Sequence, residues 1–243
     1  MSTSFQGSLF QGKLVVVTGA AGALGSAVAN YFIDQGARVA HIDYSMDLLS
    51  KTFPKHSGDK NNLYLAADLT SRDSTNSAFQ TIVKNFGKVD VLANIAGGFL
   101  MGEKVHETSD KTWDFLFNLN TRSILNTSAA AVPVMQKNGG GKIINIAAGA
   151  AKQGAALMGA YVASKSAVWR LTESMALELR DNNINVNCIL PGIIDTERNR
   201  ADMPNADYSK WVAPLEIAKV IGFLASDDSK MVHGAAVPVV GLG

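Results

Sequence analysis

The sequence predicts a single α/β domain in which apolar strands alternate with amphipathic helices. Three observations carry that expectation. The run Leu14-Val15-Val16-Val17 reads as a strand buried on both faces, and from Ala23 to Gln35 the pattern turns helical, with Leu24, Val28 and Tyr31 or Phe32 recurring at three- and four-residue steps. Gly19, Gly22 and Gly25 occupy the junction, which makes it a tight strand-to-helix turn. Strand-like and helix-like stretches then keep alternating through all 243 residues, with no repeat, low-complexity tract or linker to divide them.

Composition narrows the function classes. With 47% hydrophobic residues the chain buries a sizeable core. Lys and Arg (22) nearly balance Asp and Glu (21), and a net charge of +1 supplies no long-range field for nucleic acid or anionic lipid. A small neutral or weakly charged substrate is expected. No apolar stretch is long enough to span a bilayer, and Met1 to Lys13 lacks the charged start and apolar centre of a signal peptide, so the expected compartment is the cytoplasm. Cys188 is the only cysteine and sits in a strand-like run as a buried residue. His41, His56, His106 and His233 are scattered without ligand spacing, and no catalytic metal is expected.

The glycine turn has a chemical reading. It points unpaired backbone N–H groups and the positive end of a helix dipole at whatever lies above, and lets a diphosphate approach the backbone without meeting a Cβ. The next apolar run, Ala37 to Asp43, ends in an acid 18 residues beyond Gly25. That is about where a dinucleotide fold places the carboxylate that holds the adenosine ribose hydroxyls.

A short helix follows, then a strand over 63–66 closed by Asp68-Leu69-Thr70, where Asp68 follows a strand's carboxyl end and can also cap the next helix. That helix continues over 78–86 to Gly87. Val89 to Ala93 reads as the fourth strand and ends in Asn94-Ile95-Ala96-Gly97-Gly98, small residues against which a flat ring can lie, with an Asn amide able to tie strand ends together. Ser109 to Gln136 has helical spacing throughout. Asn120 lies on it in register with Trp113, Phe117 and Ile124, either satisfying a buried backbone group or holding water. The fifth strand is 142–148, followed by a loop over 149–159 whose only polar side chains are Lys152 and Gln153. Tyr161 opens a helix to about Asp181, 183–190 is a sixth strand broken by Pro191-Gly192, and 193–214 reads as an irregular polar flap. A last long helix over 214–226 and a seventh strand over 235–240 complete the chain.

Tyr161 and Lys165, four residues apart, share a helix face. A nearby ammonium, together with an oxidised nicotinamide, favours the phenolate of a group that otherwise titrates near 10, and so makes a proton relay.

Taken together, the turn from Thr18 to Gly25, Asp43, Asp68-Leu69, Asn94-Ile95-Ala96-Gly97, Asn120, Tyr161-Val162-Ala163-Ser164-Lys165 and Pro191-Gly192-Ile193-Ile194-Asp195-Thr196 resemble the short-chain dehydrogenase/reductase family in order and spacing over essentially the whole chain. The resemblance implies a Rossmann-type, doubly wound sheet of seven parallel strands in the order 3-2-1-4-5-6-7 with helices on both faces. It implies that Tyr161 is the general acid/base, that Lys165 binds the nicotinamide ribose and depresses the Tyr161 pKa, and that Asn120 holds a water leading protons to solvent. It implies that Gly19, Gly22, Leu24 and Gly25 cradle the cofactor and that Asp68 and Leu69 lie at the adenine. Asn94, Ala96 and Gly97 would border the cofactor, and Pro191, Gly192, Ile194 and Thr196 would complete its site, Thr196 meeting the diphosphate or carboxamide. Asp43, with no Arg directly after it, looks like the NAD-preferring form rather than the NADP form. A homotetramer or homodimer built on the helices carrying Asn120 and Tyr161 is also implied, with Trp169 and Leu177 as exposed apolar support.

Two positions depart from the family pattern. Ala23 stands where the turn usually has Gly. Ala148 stands 13 residues before Tyr161, in the place of the substrate-orienting Ser, and no hydroxyl occurs between Ile146 and Gly159. The dihydropteridine reductases are similar in both respects, and their quinonoid substrate accepts hydride readily. The residues therefore point to an oxidoreductase acting on a carbonyl, an alcohol or a conjugated ring, with a non-catalytic dinucleotide-binding protein as the rival. Gly98-Phe99-Leu100-Met101, Lys152, Gln153, Arg198, Arg200 and Trp211 should border the pocket, the two arginines reading chiefly as part of a solvated charged flap.

Overall fold

The computed structural model describes residues 8–56 and 58–242; the expectation drawn from the first 13 residues thus rests largely on positions outside it. Seven strands form one sheet, ordered β3-β2-β1-β4-β5-β6-β7, and every pairing is parallel. The strands are β1 (Leu14–Thr18), β2 (Arg38–Asp43), β3 (Asn62–Ala66), β4 (Val91–Asn94), β5 (Gly141–Ile146), β6 (Ile184–Pro191) and β7 (Ala236–Val239). The helices are α1 (Ala23–Asp34), α2 (Met46–Thr52), α3 (Arg72–Phe86), α4 (Asp110–Phe117), α5 (Ser123–Lys137), α6 (Gly159–Leu179), α7 (Glu197–Asp202) and α8 (Pro214–Ala225).

Side-chain alternation on the strands builds two cores. Val15 and Val17 join α1 and α8 residues such as Phe32 and Ile221 on one face, while Leu14 and Val16 join Ile82 of α3, Met135 of α5 and Ala176 of α6 on the other. A sheet covered on both faces requires the continuous apolar strands seen in the sequence. The chain order reverses between β1 and β4, so their carboxyl ends part over a crevice where open α/β sheets bind ligands.

Two expectations about elements need correction. Ser109 to Gln136 is not one helix: α4 passes into a π-helical turn, Asn118–Arg122, before α5. The extra residue of a π turn rotates the helix beyond it by about 100°, the angle one residue occupies on a helix. Asn120 and Ile124 are therefore buried while Trp113, nominally in register, is 46% exposed and stacks on Phe117. The 193–214 segment is also better ordered than an irregular flap. It contains α7, and its ends pair through Val212 N–H to Ile193 O (2.9 Å) and Asp195 N–H to Val212 O (2.8 Å).

His41, on β2, is completely buried beside Phe53 and Tyr64. Its Nε2 lies 2.9 Å from Asn62 Oδ1 and its Nδ1 has no partner, so burial pulls its pKa down to about 4 and keeps it neutral. The unfolded chain takes up this proton near the ordinary 6.5 and the folded one does not. Stability should accordingly fall as pH drops from 6.5 to about 4, by up to about 3 kcal/mol, and level off below. Urea denaturation of wild type and His41→Leu at pH 7 and 4.5 checks this: the acid loss should be smaller in the variant.

Candidate active site

The glycine turn is packed to contact. Gly19 has φ +61°, and a Cβ there would stand 2.9 Å from Ala96 Cα; one at Gly25 would drive into the Gly19 carbonyl oxygen. The turn thus forms only without side chains at those two positions. Ala23, by contrast, is exposed on the first turn of α1, so the departure from Gly is accommodated in solvent. Gly22 is the N-cap residue of α1, no side chain caps the helix, and its first turn holds no acid. The leading N–H groups keep their capacity for an anion, and the helix dipole adds to it.

Asp43 ends β2 beside this turn. Its Oδ2 accepts from Ala21 N–H at 2.9 Å and its Oδ1 from Tyr44 N–H at 2.8 Å, so the carboxylate both braces the turn and faces its rim. Asp68 accepts from the N–H and hydroxyl of Thr70; Ser71, not Asp68, caps α3. Leu69 is buried, and its carbonyl accepts from Asn126.

The end of β4 is tied down by hydroxyls and amides. Thr18 Oγ1 accepts from Ile95 and Ala96 N–H at 3.0 and 3.1 Å, holding that end against the glycine turn. The Asn94 amide donates to Asn145 Oδ1 (2.9 Å) and accepts from Thr127 (2.8 Å), while the Asn145 amide donates to Thr172 (2.9 Å). This buried ladder joins β4, β5, α5 and α6. Asn94 ties strand ends as its residue type suggested; the Thr18, Asn145 and Thr172 contributions are additions, since their partners lie between 27 and 78 positions away.

Asn120 satisfies backbone. Its Oδ1 accepts from Gly98 N–H (2.8 Å), and its amide donates to Gly98 O (3.1 Å) and Ser164 Oγ (3.0 Å). Ser164, inside the Tyr161-to-Lys165 motif, donates to Tyr161 O and so links Asn120 to α6. A Cβ at Gly97 would stand 2.9 Å from Asn120 Oδ1 and 3.1 Å from Lys165 Nζ, which brings these two polar groups together over one glycine.

Lys165 is buried, and its Nζ donates to Ile146 O at 2.8 Å. Burial pulls its pKa down to about 8 and pushes the Tyr161 phenol up to about 12. In the protein without cofactor, burial is what raises Tyr161. Phe99 lies edge-on to Tyr161, with ring centroids 4.8 Å apart. Ala148 is buried at the start of the 149–152 turn and carries only a methyl group. Cys188 is buried in β6, and burial raises its thiol to about 11.

Pro191 ends β6, and a Cβ at Gly192 would press on the Val240 backbone at 3.1 Å. Ile194 bridges to Val212 at the base of the excursion, and Thr196 caps α7 through Asn199 N–H at 3.1 Å. Arg200 pairs with both oxygens of Asp195 and Arg198 with Asp202, so the arginines are engaged within their own segment. Trp169 is half-buried on the Ile124, Val168 and Cys188 cluster under the Arg170 guanidinium, which corrects its expected exposure; Leu177 is 67% exposed. Among the described residues no three potential ligands gather to hold a metal, and no helix is long and apolar enough to cross a membrane.

Known proteins match this arrangement along its length. The short chain dehydrogenase family profile matches residues 13–207. A 3-oxoacyl-[acyl-carrier-protein] reductase of Thermotoga maritima is 30% identical over 241 residues, covering 95% of this chain and 97% of that protein. A 2-dehydro-3-deoxy-D-gluconate 5-dehydrogenase of Escherichia coli is 35% identical over 250 residues, covering 95% of each. The crystal structure of carveol dehydrogenase from Mycobacterium avium in complex with NAD superposes with a TM-score of 0.88 at 25% identity, covering 96% of this chain and 98% of that one. The sheet order, the glycine turn and these matches agree: the chain belongs to the short-chain dehydrogenase/reductase family and has its Rossmann-type fold.

Proposed function

We propose that the protein is an NAD(H)-preferring oxidoreductase that moves hydride between the cofactor and a small carbonyl, alcohol or conjugated substrate, with Tyr161 as general acid/base. The observation that carries this reading is the gathering of Lys165 and Asn120 about Gly97 and Gly98, with Tyr161 one turn before Lys165 on α6 and its carbonyl tied to Asn120 through Ser164, beside an uncapped glycine turn. A dinucleotide fits the residues present. The tight glycines and the free first turn of α1 suit the diphosphate, Asp43 suits two ribose hydroxyls and repels a 2′-phosphate, and Lys165 suits the second ribose. When bound, the nicotinamide supplies or takes up the hydride.

The chain's own part is proton transfer and alignment. In the reducing direction Tyr161 Oη gives its proton to the substrate oxygen as hydride arrives at the carbon, and in the oxidising direction it takes that proton back. Lys165 Nζ and Asn120 Oδ1 both converge on Gly97, so that a water held beside them would reprotonate the site. With Ala148 in the serine position, Tyr161 is the hydroxyl left to polarise the acceptor. That favours conjugated or quinonoid substrates, which take hydride without a second donor. The same alanine is what favours the rival reading, a dinucleotide-binding protein without turnover. We place the protein in the cytoplasm as a homotetramer or homodimer, the oligomer supported by exposed Trp113 on α4 and Leu177 on α6; sedimentation reads the oligomeric state directly.

The test is NADH and NADPH consumption over a panel of ketones, acyl thioesters, quinones and quinonoid dihydropterin, with Tyr161→Phe as the blank. Tyr161-dependent turnover favouring NADH supports the reading; cofactor binding with no turnover supports the rival. Within the same panel, Ala148→Ser should raise reduction of plain ketones by about 10-fold or more, because one added donor at a developing oxyanion is worth about that much or beyond. Quinone reduction should hardly change. Wild type reducing plain ketones as fast as quinones would remove the argument from Ala148.

A further inference from the structure

Phe99 is an aromatic residue whose position the core does not explain. It is 53% exposed and lies outside all three buried apolar clusters, yet the backbone just before it is fixed. The preceding Gly98 has its N–H and carbonyl bracketed by the Asn120 amide, and a Cβ there would stand 2.9 Å from the Phe115 ring and 3.1 Å from Leu119. Asn120 is itself presented by the π turn and tied through Ser164 to the helix that carries Tyr161. The product of these constraints is one contact: the Phe99 ring perpendicular to the Tyr161 phenol, interplanar angle 88°. Beyond it, Leu100, Met101 and Leu157 continue the apolar surface, and Gly102 N–H to Leu157 O (2.8 Å) ties the two loops into one wall.

We propose that Phe99 is a positioning residue: it screens the Tyr161 hydroxyl from bulk water and offers a flat apolar face that aligns a planar substrate for hydride transfer. The inference rests on Tyr161 being the acid/base. An edge-to-face pair fixes both rings more firmly than area alone, and a substrate laid against a fixed wall loses less orientational freedom at the reacting carbon. Lys165, one turn along α6, directs its ammonium at Ile146 O, and burial alone accounts for the raised phenol of Tyr161. Removing Phe99 should therefore be felt at that phenol.

Two measurements on the full-length protein test this. In the first, ultraviolet difference titrations compare wild type with Tyr161→Phe, and Phe99→Ala with the double variant, over the pH range in which circular dichroism reports an intact fold. The Tyr161 midpoint should fall by at least one pH unit in Phe99→Ala and stay high in Phe99→Leu, which keeps the screen but not the flat face. In the second, kcat/KM for a planar naphthoquinone relative to a non-planar substituted cyclohexanone should drop at least 10-fold in both variants, through KM more than kcat. An unmoved midpoint in Phe99→Ala overturns the role of Phe99 whether or not turnover is found, and so does an unmoved planar preference. Absence of Tyr161-dependent turnover in wild type strikes instead at the hydride-transfer reading.

Discussion

Replacing Tyr161 with Phe should lower NADH-dependent turnover by roughly 10²- to 10⁴-fold, the range over which a positioned general acid/base contributes. Cofactor affinity should stay within a factor of about two, since the hydroxyl's removal leaves the glycine turn, Asp43 and Lys165 in place. The neighbouring polar groups are otherwise engaged. The wall from Ile146 to Gly159 carries no hydroxyl, Ser164 Oγ is engaged with Tyr161 O and Asn120, and Lys165 Nζ is turned to Ile146 O. Stopped-flow reduction at saturating NADH separates the chemical step from release. A variant retaining more than a tenth of wild-type rate would remove Tyr161 from the mechanism.

Lys165→Met should have two opposite effects: loss of turnover and a more stable protein in the absence of cofactor. A completely buried ammonium with one carbonyl partner is poorly compensated for lost water, which is why its pKa falls to about 8. Between the folded value of about 8 and the ordinary 10.5, the unfolded chain binds the proton more tightly, so stability rises with pH across that window. Below pH 8 both states are protonated and the burial cost stands in full, at most about 3 kcal/mol from the size of the shift. Methionine removes that cost and gives up one hydrogen bond worth about 1 kcal/mol. Calorimetry of cofactor-free protein should show a gain at pH 7 that shrinks towards pH 10. A variant less stable at pH 7 would mean that the ammonium is well satisfied where it lies.

How much of this was legible in the sequence differs between levels. The sheet, its strands and the glycine turn were readable because strands covered on both faces must be continuously apolar, and because Gly19 and Gly25 have no room for a side chain. The placement of Tyr161 and Lys165 on one helix followed from spacing alone. The π turn was hidden, since one extra residue in a 28-residue helical stretch barely disturbs its period, and its effect shows only when Trp113 and Asn120 prove to face different ways. Thr18 was hidden for another reason: a hydroxyl at a strand end has no signature until partners 77 and 78 residues away arrive. The direction of the Lys165 ammonium, aimed at Ile146 O, is likewise something that spacing does not specify.

The base of the 193–212 excursion has a consequence for how such a chain can change. Because Ile193 and Val212 meet and the following residue, Ala213, leads directly into α8, the excursion leaves and rejoins the body at one place. Its tip bears no strand of the sheet, and closing a loop twice as long costs only about 0.6 kcal/mol more. Insertions there would leave the register of β6 and the seat of α8 untouched. This one closed segment can therefore lengthen while Tyr161 and Lys165 on α6 and the glycine turn after β1 stay where they are.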